Sequence, residues 1–268
     1  MASAVDPAGF ARLDGRSAVV TGASSGIGRA IALELAAAGA DVLVHARGNR
    51  IGLEETQRQV QALGRRGEAV LGDLTSESFV AELVGRAYDW TRDIQIWVNN
   101  AGGDVLTGVA ADWTFETKLD YLWSIDVRAT MRLARLVGQR MKAQGADGGD
   151  RSMLFIGWDQ VEMGMAGDSG EMFSAIKGAV MAFSRSLARS LAPQVRVNCV
   201  APGWIRTSWG DTASEYWQQR ARDESLLQRW GTPEDVARCV RFLVSPASCF
   251  VTGQIVPVNG GYRGSAGP

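Results

Sequence analysis

The chain has a single histidine, His45, among 268 residues. That scarcity excludes a Ser/His/Asp arrangement independent of His45 and any multi-histidine metal site. Cysteine is nearly as rare. Cys199, Cys239 and Cys249 are odd in number and lack metal-like spacing, which points to buried or free thiols in a reducing cytoplasm rather than a disulfide framework. Neither sign of charge dominates, with Lys+Arg 28 against Asp+Glu 29. A near-neutral chain carries no electrostatic footprint for nucleic acid or an anionic membrane, so the expected partner is a small molecule. No apolar run is long enough to cross a bilayer, and Met1 to Gly15 lacks a basic start and an apolar core. The reading is a cytoplasmic protein. No Pro-, Ser- or charge-rich linker divides the chain. The expected organisation is a tail over residues 1–14 and one α/β domain over 15–268.

What is present begins with Thr21-Gly22-Ala23-Ser24-Ser25-Gly26-Ile27-Gly28. The apolar run Ser17 to Val20 before it reads as a buried strand, and the Ala- and Leu-rich stretch Arg29 to Ala38 after it as a helix. Strand, glycine turn and helix leave unpaired backbone N–H groups at a helix N-terminus, where the dipole favours a phosphate. Asp41 to His45 is a second strand, and it ends in Ala46-Arg47 without an acid. An acid there accepts from a free ribose 2′-hydroxyl, whereas an arginine suits a 2′-phosphate. Arg47 therefore favours NADP(H) over NAD(H), the other reading being a solvated loop residue. Glu68 to Gly72 is a third strand ending at Asp73-Leu74, and Ile94 to Val98 a fourth ending in Asn99-Asn100-Ala101-Gly102-Gly103. Polar amides and glycines just past a buried strand are where such sheets meet ligands.

These motifs together resemble the short-chain dehydrogenase/reductase family. Arg196 to Thr207, with Pro202, Gly203, Ile205 and Thr207, resembles its sixth strand and the segment that holds the nicotinamide, and Gly253 to Gly261 its last strand. The resemblance implies a Rossmann-like, doubly wound, mostly parallel sheet with helices on both faces, a bound NAD(P), and a homo-oligomer, tetramer or dimer. It carries cofactor contacts onto Thr21, Gly22, Ser24, Ser25, Gly26, Ile27 and Gly28, onto Asp73, Leu74, Asn100, Ala101 and Gly102, and onto Lys177, Pro202, Gly203, Ile205 and Thr207.

The family's chemistry rests on Asn, Ser, Tyr and Lys, and here three of the four differ. Phe173-Ser174-Ala175-Ile176-Lys177 occupies the Tyr-x-x-x-Lys helix, so Phe173 stands where a phenol is expected. A spacing of four places 173 and 177 on one face, but phenylalanine has no proton to give. Trp158 or Asp159 aligns with the serine, after the strand Met153 to Gly157. Asp159 is an acid if its pKa is raised; an indole there takes substrate space. The asparagine falls at Asp126, on a helix expected to run unbroken from about Phe115 to Met141. Its face is shared by Leu122, Thr130, Leu133 and Val137, which turns Asp126 inward. An inward Asp126 and a retained Lys177 are expected to form a buried charge pair, because each is expensive to bury alone.

Two other features complete the reading. Ser208 to Leu227 carries Trp209, Tyr216 and Trp217 on an expected helical flap; an apolar or ring-containing substrate and an oligomer contact both account for them. Gly167-Asp168-Ser169-Gly170 resembles a serine-nucleophile motif but has no plausible base and reads as a loop. Two functions stay open: an NADP(H)-dependent oxidoreductase, reducing carbonyls or oxidising alcohols by hydride transfer with a non-standard proton donor, with Lys177, Asp126 and Asp159 as its catalytic candidates; and a redox-inactive NADP-binding sensor, partner subunit or scaffold. No metal is expected.

Overall fold

A computed structural model describes residues 9–147 and 149–262. Seven strands form one parallel sheet in the order β3-β2-β1-β4-β5-β6-β7: β1 Ser17–Thr21, β2 Asp41–Ala46, β3 Gly67–Leu71, β4 Ile96–Asn99, β5 Ser152–Ile156, β6 Arg196–Pro202 and β7 Ile255–Val258. The chain order reverses between β1 and β4. The crevice outside the carboxyl ends of these two strands is the switch point at which doubly wound sheets bind ligands.

Both faces of the sheet are covered, so its central strands are apolar throughout rather than alternating. All five residues of β1 are buried. Val19 packs into the core beneath α3 (Glu77–Trp90), α5 (Thr130–Gln144) and α6 (Asp168–Leu191), while Ala18 and Val20 face the core beneath α1 (Gly26–Ala37), α2 (Arg50–Ala62) and α9 (Pro233–Val244). Local signals start these helices where the sequence places them. Ser76 Oγ accepts from Phe79 N at 3.3 Å at the head of α3. Thr232 and Asp235 form a reciprocal capping box at α9, with Pro233 in the first turn.

Two expectations are corrected. The tail of residues 1–14 is part of the domain from Ala11 at the latest: Ala11 and Leu13 are buried, and Leu13 N donates to Ala38 O at 2.9 Å. Residues 1–8 lie outside the described part. The long helix is also interrupted. After α4 (Phe115–Leu122) the backbone widens into a π-helical segment, Trp123–Ala129, before α5 resumes. Periodicity of apolar residues does not report this change, because the extra residue is absorbed within one turn, and such bulges concentrate at functional sites. Asp126 lies within it.

The three cysteines are free, and burial pushes the Cys199 thiol up to about 12, which makes it inert. No helix among the described residues is long and apolar enough to cross a membrane, and no cluster of potential metal ligands occurs among them.

Candidate active site

The glycine loop is locked to the end of β4 by polar bonds that use the Thr21 hydroxyl and the Thr21 and Gly22 carbonyls rather than the loop's N–H groups. Thr21 Oγ1 accepts from Asn100 N and Ala101 N, both at 3.1 Å, and Asn100 Nδ2 donates to Thr21 O at 2.9 Å and Gly22 O at 3.0 Å. Two glycines are required by this geometry. Gly22 has a positive φ of 68°, and a Cβ there would meet Ala101 Cα at 2.7 Å; one on Gly28 would collide with Gly22 O and Asn100 Nδ2. Ser25 makes no side-chain cap at the start of α1, so the first-turn donors are unclaimed by a side chain. A cavity of 430 Å³ opens in front, lined in part by Gly22, Ser24, Ser25, Arg47, Asp73 and Leu74. Arg47 reaches it from the end of β2, its Nη1 donating to Tyr121 Oη at 2.5 Å. His45 borders the same cavity; burial holds its imidazole below the ordinary range, against the opposing bond to Gly72 O.

A second cavity, of 540 Å³, shares the Asn100–Asp104 segment with the first. Ile27, Asn100 and Gly103 border it on one side and Pro202, Gly203, Ile205 and Thr207 on another. Lys177 projects into it from α6, the one formally charged side chain among the described residues that line it. Its Nζ donates to Asp126 Oδ2 at 2.8 Å, and Asp126 Oδ1 accepts from Gly103 N at 2.7 Å. The Asp126 side chain is 2% exposed and that of Lys177 17%. The buried charge pair inferred from two sequence positions is therefore formed, with a backbone donor added.

The rest of the wall is aromatic. Trp158 and Phe173, at the serine and tyrosine positions, meet edge to face with centroids 6.2 Å apart. Trp204, Trp209, Trp217 and Trp230 line the same cavity and converge, with five of their pairs between 5.6 and 6.2 Å apart at the ring centres. Trp209 lies on α7 (Ser208–Thr212) and Trp217 on α8 (Glu215–Asp223). Beneath the cluster the 3%-exposed Glu224 accepts from Trp204 Nε1 and from Arg220 Nε, each at 2.7 Å. The Arg220 guanidinium lies 5.8 Å from the Trp204 ring centre and 5.2 Å from that of Trp217.

Asp159 is not brought to this cavity. Its Oδ2 accepts from Asn259 Nδ2 at 3.0 Å and lies against Gly203, behind the segment that borders the cavity. Trp158 is extended (φ −153°, ψ 135°), so its neighbour faces the other way. Burial does raise the Asp159 carboxyl to about 6, but on the wrong side of the backbone for proton transfer to a bound substrate. Asp73 Oδ1 is engaged by Thr75 N and Oγ1, at 2.8 and 2.9 Å. Ser169, in the stretch read as a loop, begins α6 and borders the cavity without a base beside it. The sequence reading missed Tyr121, Trp204, Trp230, Arg220 and Glu224. The one signal for the tryptophans was abundance: four of the nine fall between residues 204 and 230.

Known proteins resemble this chain along nearly all of its length. A family model described as enoyl-(acyl carrier protein) reductase matches residues 22–263. A 3-oxoacyl-[acyl-carrier-protein] reductase of Aquifex aeolicus is 31% identical over 257 residues, covering 93% of this chain and 98% of that protein. Among solved structures, a 7α-hydroxysteroid dehydrogenase complexed with NADH and 7-oxo glycochenodeoxycholic acid superposes with a TM-score of 0.86 at 30% identity, over 96% of this chain and 98% of the other. The L-sorbose reductase of Gluconobacter frateurii complexed with NADPH and L-sorbose gives a TM-score of 0.83 at 29% identity, over 95% and 99%.

Proposed function

Because the chain belongs to the short-chain dehydrogenase/reductase family, we propose that it is an NADP(H)-dependent oxidoreductase that moves a hydride to or from a small apolar or aromatic substrate. The observation that carries this reading is Lys177, held by Asp126 in the lining of the 540 Å³ cavity between the glycine-loop side and the tryptophan wall. When bound, the nicotinamide supplies or accepts the hydride.

The residues fit such a cofactor. The unclaimed N–H groups at the head of α1 and the glycine cradle suit a pyrophosphate. Arg47 suits a 2′-phosphate, and Leu74 offers an apolar face beside it. Thr207 Cγ2 sits 3.6 Å from where a Cβ on Gly26 would lie, so the Pro202–Thr207 segment closes over the loop. Asp159, bonded to Asn259 behind Gly203, supports that segment rather than the reaction. Lys177 Nζ is the cationic group of the cavity, and Asp126 keeps it charged and in place. Trp158 and Phe173 exclude water where the family supplies hydroxyls. Oligomerisation is part of the proposal, supported by exposed apolar groups at Trp123, Leu136 and Phe250.

The test is titration with NADPH and with NADH, followed by NADPH consumption against ketones, aldehydes and quinones. NADPH is expected to bind the more tightly and to be consumed with apolar ring substrates. Tight binding without consumption across the panel contradicts the reading for those substrates.

A further inference from the structure

The cavity combines features that select a substrate by charge as well as by shape. Its wall contributes five indoles, from Trp158, Trp204, Trp209, Trp217 and Trp230; indole offers a cation the strongest face of the aromatic side chains, and Trp204 and Trp217 already carry the Arg220 guanidinium, at 5.8 and 5.2 Å from their ring centres. The charges around it are already paired: Lys177 with Asp126, and Arg220 with Glu224. Among the described residues, no free ammonium or guanidinium therefore lines the wall to repel a positive ligand.

The proton inventory points the same way. Reduction of a neutral C=O leaves an alkoxide that must be protonated, a step worth about 10²–10⁴ in rate when a positioned acid performs it. Phe173 and Trp158 provide no hydroxyl, Asp159 faces away from the cavity, and the hydroxyls of Ser169 and Thr207 in its lining are alcohols, no stronger as acids than the alcohol the alkoxide would become. Lys177 is a poor donor, because losing its proton strands the 2%-exposed Asp126 carboxylate without its counter-charge. An acceptor that is positive to begin with has no such requirement.

We infer that the substrate class is a planar cation with an electrophilic C=N⁺ carbon, an iminium or N-alkylated ring, reduced to a neutral amine in the tryptophan box. The inference deepens the oxidoreductase reading and rests on it. The balance closes without a proton: the substrate carbon gains a hydride from the reduced nicotinamide, the C=N π pair becomes the nitrogen lone pair, and the positive charge passes to the oxidised nicotinamide. Asp126 in place of an amide, and Phe173 and Trp158 in place of hydroxyls, are then one coherent set of changes.

The probe pair is N-methyl-dihydroisoquinolinium, permanently charged, and α-tetralone, of similar shape but neutral. Binding is read first without cofactor, by quenching of tryptophan fluorescence. The cation is expected to bind at least about 10-fold more tightly, and Trp217→Leu, which keeps an apolar surface, to weaken the cation about 3- to 30-fold and the ketone less. With NADPH added, one N-methyl-tetrahydroisoquinoline should form per NADPH consumed, at a rate that does not follow pH. If tetralone binds as tightly, or is reduced faster than the cation, the inference falls while the oxidoreductase reading stands. Saturable quenching by the cation without NADPH binding overturns the oxidoreductase reading, and the inferred reduction with it. The wild-type comparison decides the matter even where Trp217→Leu does not fold.

Discussion

Lys177 Nζ lies 2.8 Å from Asp126 Oδ2, and the other Asp126 oxygen accepts the Gly103 N–H at 2.7 Å. Three elements are thereby tied together at one carboxylate: α6, the π-helical turn, and the chain leaving β4. Removing either charge leaves its partner stranded. Asp126→Ala is expected to destabilise the fold by about 2–4 kcal/mol, toward the lower end of the range for broken buried pairs because Lys177 is partly exposed. Asp126→Asn should be milder, since its amide oxygen still accepts from Gly103. Denaturant unfolding of both variants and of Lys177→Met, combined in a double-mutant cycle, measures the coupling; additive effects would refute it.

Arg47 tests cofactor choice. Its guanidinium reaches the cavity beside Ser24 and Ser25 and is held by Tyr121 Oη. A charge-assisted bond to a phosphate contributes about 1.5–3 kcal/mol, so Arg47→Ala should weaken NADPH roughly 10- to 100-fold. NADH binding, measured in parallel, should change little. An equal loss for both would assign Arg47 a structural task.

Much of this half of the site was legible in the sequence because it is written in the backbone. A strand, a glycine turn and a helix in that order fix where the donors point, and the Phe173–Lys177 spacing fixes a helix face. What was not legible depends on one residue's turn or on distant segments. Trp158 and Asp159 are neighbours in sequence, yet the extended backbone at Trp158 sends one into the cavity and the other behind Gly203. Trp204, Trp230 and Glu224 meet only because β6 and the stretch before α9 are adjacent in space, with Ile205 bridging to Gly231.

Asp159 carries a pH signature of stability. Its folded-state carboxyl is raised to about 6 by burial, above its ordinary value of 3.8. The native state thus holds this proton over a range in which the unfolded chain has released it, so stability from this group is present below the unfolded pKa and lost as pH rises through about 6. Asp159→Asn, which still accepts from Asn259, should raise stability by roughly 1–2 kcal/mol at pH values above that range. Near pH 4 the two proteins should melt alike. A difference in thermal midpoint that does not depend on pH would contradict this cause.

Phe173→Tyr alone places a phenol beside Lys177 but leaves Trp158 against it, at 6.2 Å between centroids. The double variant Phe173→Tyr with Trp158→Ser supplies the acid, the second hydroxyl and the space. Reduction of neutral ketones should rise by about 10²–10⁴ in the double variant. Reduction rates for a ketone series measure this, and no gain would mean that the donor is not what limits the native site.

In the proposed function, the cradle and the cavity beside Lys177 together hold NADPH and release its hydride without a phenol. The most direct measurement mixes the protein with NADPH carrying deuterium at the transferable position and with an apolar ring substrate, neutral or cationic. The product is then analysed by mass spectrometry. One deuterium is expected in the product for each NADPH consumed, and loss of that transfer in Lys177→Met. Tight NADPH binding with no deuterium transferred to any substrate would contradict it.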